Sequence, residues 1–192
     1  METKISDEKL VEQTLDGDAS AYEALVGRYQ DRIYRLAYRM VGNHDDAEDL
    51  CQDCFVHVYR VLPKYRRGLP FAPWLYKICT NLSINWFHRK GAQPPTQSLE
   101  IGDEAESEEL QLPDLGAGPE EQLVTKEERR RVLDAVHKLP ISFRVPIVLR
   151  YLLDLTFREI SETLGLPLGT VATRVRRGTE MIRRSIRTAD RE

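Results

Sequence analysis

The side chains best equipped for recognition lie near the C-terminus, in the run FREISETLGLPLGTVATRVRRG from Phe157 to Gly178. Arg174, Arg176 and Arg177 share it with Thr170 and Thr173. A guanidinium fork pairs with phosphates and with guanine edges, and hydroxyls reach either. A second set is Trp74, Lys77, Ile78 and Asn81, preceded by Tyr65, Arg66, Arg67 and Phe71. Flat rings interleaved with cations and amides can stack on unpaired bases while the cations hold the backbone. Burial of the same rings as core is the plainer alternative, and the better one for Leu75, Leu82 and Phe87. A third set is Asp46, Asp49, Gln52 and Asp53, either a solvated helix face or a partner surface that sets register and steers approach. The run CQDCFVH spaces Cys51, Cys54 and His57 at three-residue steps, which can converge on a metal. Both cysteines also fall on apolar positions, where small core residues are the usual outcome. No phosphate-binding glycine loop and no coherent nucleophile or metal set is present, so the sequence predicts no enzyme, no metal and no cofactor.

These side chains need helices to hold them, and the apolar spacing is helical throughout. A first helix begins at Ser6 and stops at Asp16-Gly17. Ser20 and Glu23 have the spacing of a capping box. From Tyr22 to Val41, apolar residues recur every three or four positions, including Leu25, Tyr29, Ile33, Leu36 and Met40, until Gly42-Asn43. A third helix runs from about Asp45 with stripe Ala47, Leu50, Cys51, Cys54, Phe55, Val58 and Leu62, and Pro63 ends it. An irregular stretch follows, then a fourth helix from about Phe71 to His88. After Pro119 four more helices are predicted, from about Glu120 to Leu139, from Ser142 to about Leu153, from Thr156 to Gly165, and from near Leu168 into the 180s. Thr156 and Glu159 form a second capping box, and Gly165 suits a left-handed C-terminal cap. Ile160 and Leu164 would pack against Leu166, Val171 and Val175, with Ser161 as the small residue near the turn. That is the pattern of a helix-turn-helix, whose second helix presents its outer face to the major groove. A helical hairpin with a solvated basic face is the alternative.

Charge divides the chain more sharply than its net value of −3 suggests. Residues 1–90 carry 13 basic and 13 acidic side chains, residues 91–119 carry 7 acidic and none basic, and residues 120–192 carry 15 basic and 11 acidic. The middle segment also holds four prolines and four glycines in 29 residues, the composition of a flexible linker. The expectation is an all-α protein of two small domains, 1–90 and 120–192, joined by an acidic strap at 91–119. Three cysteines make no disulfide framework, no apolar run reaches membrane-spanning length, and the first nine residues are polar. A cytoplasmic protein without membrane insertion is expected.

At this point three motifs in order resemble one family. DLTFREISETLGLPLGTVATRVRRG is similar to the fourth region of bacterial sigma factors. DAEDLCQDCFVHVYR resembles the polymerase-docking helix of their second region, and PFAPWLYKICTNLSINWFHRK the helix that melts the −10 element. Two helical domains and a short linker resemble the extracytoplasmic function (ECF) class. The resemblance implies a transcription initiation factor that binds core RNA polymerase and promoter DNA. Asp46, Asp49, Gln52 and Asp53 would dock on the clamp helices of the largest subunit, and the C-terminal domain on the flap of the second-largest. Thr170, Thr173, Arg174, Arg176 and Arg177 would meet the −35 element as duplex. Tyr65, Ile78 and Asn81 match the wall of a pocket for a flipped −10 base, with Arg66, Arg67 and Phe71 in the matching loop and Trp74 and Lys77 beside it. An anti-sigma factor is implied as regulator. The chain departs from the family where Arg67 adds a base and an acidic residue is missing from the loop. It departs again at Ala172, where many relatives carry a long basic side chain. Two other readings are a stand-alone DNA-binding regulator with a sensing N-terminal bundle, and a thiol or metal sensor at Cys51 and Cys54.

Overall fold

The computed structural model describes residues 5–89 and 126–189. Among the described residues there are eight α-helices, one 3₁₀ turn and no strand. The chain divides into two compact units, with the boundary between Asn85 and Trp86. The expected linker at 91–119 and the stretch 120–125 lie outside the described residues.

The first unit contains α1 (Asp7–Leu15), α2 (Ala19–Val41), α3 (His44–Val61), a 3₁₀ turn at Leu62–Lys64, and most of α4 (Phe71–Arg89). Ser6 caps α1 by accepting from the Lys9 backbone N–H at 3.2 Å. The α2 stripe is buried at Leu25, Tyr29, Ile33, Leu36, Ala37 and Met40, and half-buried at Tyr22, Val26 and Val41. Each fully buried aliphatic side chain is worth about 1.5–3 kcal/mol of transfer free energy. Gly42, at φ 88°, ends α2 in the left-handed region, and Asn43 caps α3 by accepting from Asp46 N at 2.9 Å. The capping box expected at Ser20 is replaced. Asp18 is the N-cap of α2, accepting from Ser20 N at 2.9 Å and from the Ser20 hydroxyl at 2.6 Å. A full carboxylate two residues earlier takes both donors, so Ser20 starts inside the helix.

The second unit contains α5 (Lys126–His137), α6 (Ile141–Leu152), α7 (Phe157–Leu164) and α8 (Leu168–Ala189). Helix α8 packs against the other three. Arg144 is buried within α6 and donates to the carbonyls of His137 and Leu139, at 2.9 Å for the latter. It thereby ties the end of α5 to α6, while burial pulls its guanidinium down to about 10.

Candidate nucleic-acid interface

The second unit builds its surface from a tightly closed turn. Thr156 accepts from Glu159 N at 3.3 Å, and Glu159 Oε2 accepts from Thr156 N at 2.7 Å and from the Thr156 hydroxyl at 2.8 Å. The Thr156 donors hold the Glu159 carboxyl below the usual carboxylate range. At the other end of α7, Gly165 has φ 65°, and its N–H donates to the Ser161 carbonyl. The Leu166 N–H donates to the same carbonyl at 3.1 Å. The Ser161 hydroxyl then donates to the Leu166 carbonyl at 2.5 Å. Ser161 thus satisfies both chain directions at the turn, which a larger apolar residue would not do.

That turn lays α8 across Ile160, with Val171 and Val175 buried beneath it; Leu164 and Leu166 are half-buried at the edges. Thr173, Arg176 and Arg177 stand at i, i+3 and i+4 and so share one outer face. Arg176 is exposed, and Thr170, Thr173, Arg174 and Arg177 are half-exposed. Arg183, Arg184 and Arg187 continue the exposed basic surface, with Arg184 held to Glu180 at 2.6 Å. This is an arginine-bearing helix face over a buried apolar seam.

The first unit carries a second surface along α4. Leu75, Tyr76, Cys79, Thr80 and Ser83 are buried. Lys77, Asn81 and Asn85 are exposed on the other side, with Trp74 and Ile78 half-buried at the border. The loop before α4 turns at Gly68, φ 84°, with Arg66, Arg67 and Leu69 exposed. Two of the expected site residues, one from the pocket wall and one from the loop, face inward. Phe71 is 2% exposed and Tyr65 6% exposed. Their rings meet at 6.1 Å, and Tyr65 meets Trp74 at 5.1 Å. The Tyr65 hydroxyl donates across the loop to the Leu69 carbonyl. Phe71 lies in the core beneath the loop because it starts α4 on the apolar side, in phase with Leu75.

A third surface lies on α3. Asp49, Gln52 and Asp53 are exposed, and Asp46 is half-exposed and close to Asn43, whose amide donates to it at 2.6 Å. Sequence reasoning missed Val56 and Tyr59, which are 50% and 55% exposed. They continue the same face at i+4 and i+7 from Gln52. Their signal was available: two large apolar residues fall outside the buried stripe of α3. The Tyr59 ring is braced edge-on by Tyr22 at 5.0 Å.

The cysteines are core groups. Cys54 and Cys79 are fully buried and hydrogen-bonded to one another, which with burial drives the Cys54 thiol far upward. Cys51 is half-buried, its thiol pushed up to about 11 by desolvation, and its Sγ reaches the Gln30 carbonyl at 3.9 Å. His57 is exposed. Among the described residues no three His, Cys, Asp or Glu side chains converge as a metal requires. No helix among them is long and apolar enough to cross a membrane.

Two family models match the chain. The family Sigma-70 region 2 matches residues 25–93, and Sigma-70, region 4 matches residues 129–182. The ECF RNA polymerase sigma factor SigW of Bacillus subtilis is 36% identical over 93% of this chain and 96% of its own length. The ECF RNA polymerase sigma-E factor of Escherichia coli is 33% identical over 95% of both chains. The fold matches that of CnrH, solved with the cytosolic domain of CnrY, at a TM-score of 0.67 with 22% identity over 95% of this chain and 97% of that one. It also matches the sigma factor RpoE of Bartonella quintana, solved with the anti-sigma factor NepR, at 0.62 with 19% identity over 86% and 96%. With both regions present in order and full-length relatives above 30% identity, this chain belongs to the ECF class of RNA polymerase sigma factors, which are transcription initiation factors and not enzymes.

Proposed function

We propose that this sigma factor holds two parts of a promoter for RNA polymerase, with the second unit reading an upstream element as duplex and the first unit holding the −10 element as a melted strand. The observation that carries the reading is the outer face of α8, where Thr173, Arg176 and Arg177 stand over a buried Ile160–Val171–Val175 seam. Thr170 and Arg174 flank that face within reach of phosphates. In the first unit, Lys77 and Asn81 project beside Trp74 and Ile78, with Arg66 and Arg67 exposed on the adjoining loop. Cations there hold a strand's backbone, and Trp74 and Asn81 meet a base by stacking and hydrogen bonding. Tyr65 and Phe71 serve this site from below as supports. Asp49, Gln52 and Asp53, joined by Val56 and Tyr59, form a mixed acidic and aromatic face suited to basic helices of the polymerase clamp, with Asp46 at its edge.

Neither DNA surface needs high affinity alone, because the polymerase couples them through effective concentration. Residues 1–90 and 120–192 act as the two modules, with residues 91–119 as tether. The protein works in the cytoplasm, where polymerase and promoters are. An anti-sigma factor covering these faces is the natural regulator, since two structurally similar chains were solved with such partners or with a cytosolic protein domain. Run-off transcription with purified core polymerase across a promoter library tests the whole reading. Initiation from a defined set of templates is expected, and Tyr59→Ala and Val56→Ala should weaken core binding. Absence of initiation from every template by a folded chain would refute it, and tight duplex binding without polymerase would favour a stand-alone regulator.

A further inference from the structure

We propose that Asp7, at the start of α1, is a positioning residue for the melted-strand site, acting through a buried relay of aromatic rings. The proposal rests on the reading of α4 and its loop given above. The Asp7 carboxylate accepts hydrogen bonds from the Tyr29 hydroxyl and from Arg28, whose second nitrogen donates to the Ile5 carbonyl at 3.0 Å. The Tyr29 ring is buried and meets Phe71 edge-on at 5.7 Å. Phe71 in turn meets Tyr65 at 6.1 Å and Trp74 at 5.8 Å, and those two rings meet each other at 5.1 Å. Tyr65 carries the loop, because its hydroxyl bonds the Leu69 carbonyl and its N–H donates to Leu62 O at 2.9 Å. The path therefore runs from one carboxylate on α1 to the support and the ring of the strand-binding surface.

The physical argument is one of orientation. Close-packed rings in edge-on contact transmit a tilt to their neighbours, because the interior has no slack to absorb it. Tyr29 has two soft torsions, and the anchored hydroxyl fixes both. Within the loop Leu69 N also donates to Arg66 O at 3.3 Å, so the backbone that carries Arg66 and Arg67 is closed over the Tyr65 ring. Loss of the Asp7 anchor leaves the apolar contacts in place and frees their angles.

Two tryptophans are present, Trp74 and Trp86, so Trp86→Phe leaves Trp74 as sole reporter. In that background, Asp7→Asn, Tyr29→Phe and their combination are compared by acrylamide quenching, with Lys9→Ala as a control on the exposed side of α1. The same substitutions in the natural background are assayed for core binding and for open-complex yield, read by permanganate reactivity of the melted strand. Asp7→Asn should raise Trp74 quenching and lower open-complex yield about five- to tenfold, the factor lost when a charge-assisted hydrogen bond becomes a neutral one. Tyr29→Phe removes the bond altogether and should do at least as much, the combination should be no worse than Tyr29→Phe alone, and core binding should be unchanged. Quenching and yield equal to those of Lys9→Ala would overturn the proposal. So would parallel loss of core binding and thermal stability, which would make Asp7 a general fastening. If the unsubstituted chain opened no promoter, the reading of the site would fall, and Trp74 quenching would still decide whether Asp7 sets the rings.

Discussion

Gly27 in α2 and Gly178 in α8 lie in helix interiors, beyond the first turn that holds Gly169, and their replacement by alanine should have opposite effects. In a helix interior, Gly→Ala gains about 1 kcal/mol from backbone propensity alone. At Gly27 a Cβ would have nothing within 4 Å, so Gly27→Ala should stabilise by about that amount. At Gly178 it would stand 3.0 Å from Ile147 Cγ1, and 3.4 Å from Ile147 Cδ1 and Phe143 Cβ. Carbon atoms prefer about 3.5–4.0 Å, so the first contact overlaps by roughly half an ångström or more. Ile147 cannot yield easily. It is fully buried, and a β-branched side chain within a helix has essentially one χ1 well. Overpacking of this kind costs about 1–3 kcal/mol, which outweighs the propensity gain and leaves a net loss of about 1 kcal/mol. The assay is native-state hydrogen exchange on the full chain, reading α6 and α8 for Gly178→Ala and α2 for Gly27→Ala, so that each unit reports on itself. An internal check is Ile147→Ala. It removes the obstructing carbons, so in its background Gly178→Ala should turn stabilising as the new methyl fills vacated space. Were Gly178→Ala to stabilise the natural protein as Gly27→Ala does, the close approach of α8 to α6 would not be what selects glycine there.

Other expectations follow from the same geometry. Arg176→Ala and Arg177→Ala should each cost about 1–3 kcal/mol of upstream duplex binding, measured by footprinting with holoenzyme, and leave core binding intact; equal occupancy would remove α8's outer face from DNA. Asn81→Ala should lower open-complex yield more than duplex binding, and unchanged melting would take Asn81 out of the site. The Cys51 thiol, raised by burial to about 11 from 9.0, is protonated in the folded state, so its contribution to stability is present below pH 9 and lost as pH rises through 11. Alkylation of Cys51 at pH 8 should be about a hundredfold slower than that of a free thiol, tracked by mass spectrometry, since thiolate is the nucleophile. Asp18→Ala should lower the melting temperature of the first unit more than Ser20→Ala; the reverse order would restore Ser20 as the cap.

Much of the architecture was legible in residue order because it rests on local rules. Helix period, Gly42, Gly165, the Thr156 box and the Ile160–Val171–Val175 spacing are set by backbone sterics and nearest-turn contacts, and the folded chain obeys them. The arginine face of α8 and the Lys77–Asn81 face of α4 follow from the same period once the buried stripe is known. Where two local rules competed, sequence alone chose poorly: Ser20 and Asp18 both suit a cap, and the stronger acceptor took the N-terminus.

The rest depended on what lies across the helix interface, which no period encodes. Tyr65 is expected as a pocket wall and Phe71 as a loop residue beside it, yet Phe71 packs between the rings of Tyr29 and Trp74, and Tyr65 against Phe71 and Trp74. Val56 and Tyr59 became visible as a surface only when α3 was seen to bury its other side. Gly178 looks like a flaw in a good helix until Ile147 is placed against it. Sequence therefore determined which elements form and which faces they offer, because those follow from torsions and hydrogen bonds within a few residues. Tertiary structure decided which side chains remain at the surface and which support them from beneath, because that depends on volume shared between residues far apart in the chain.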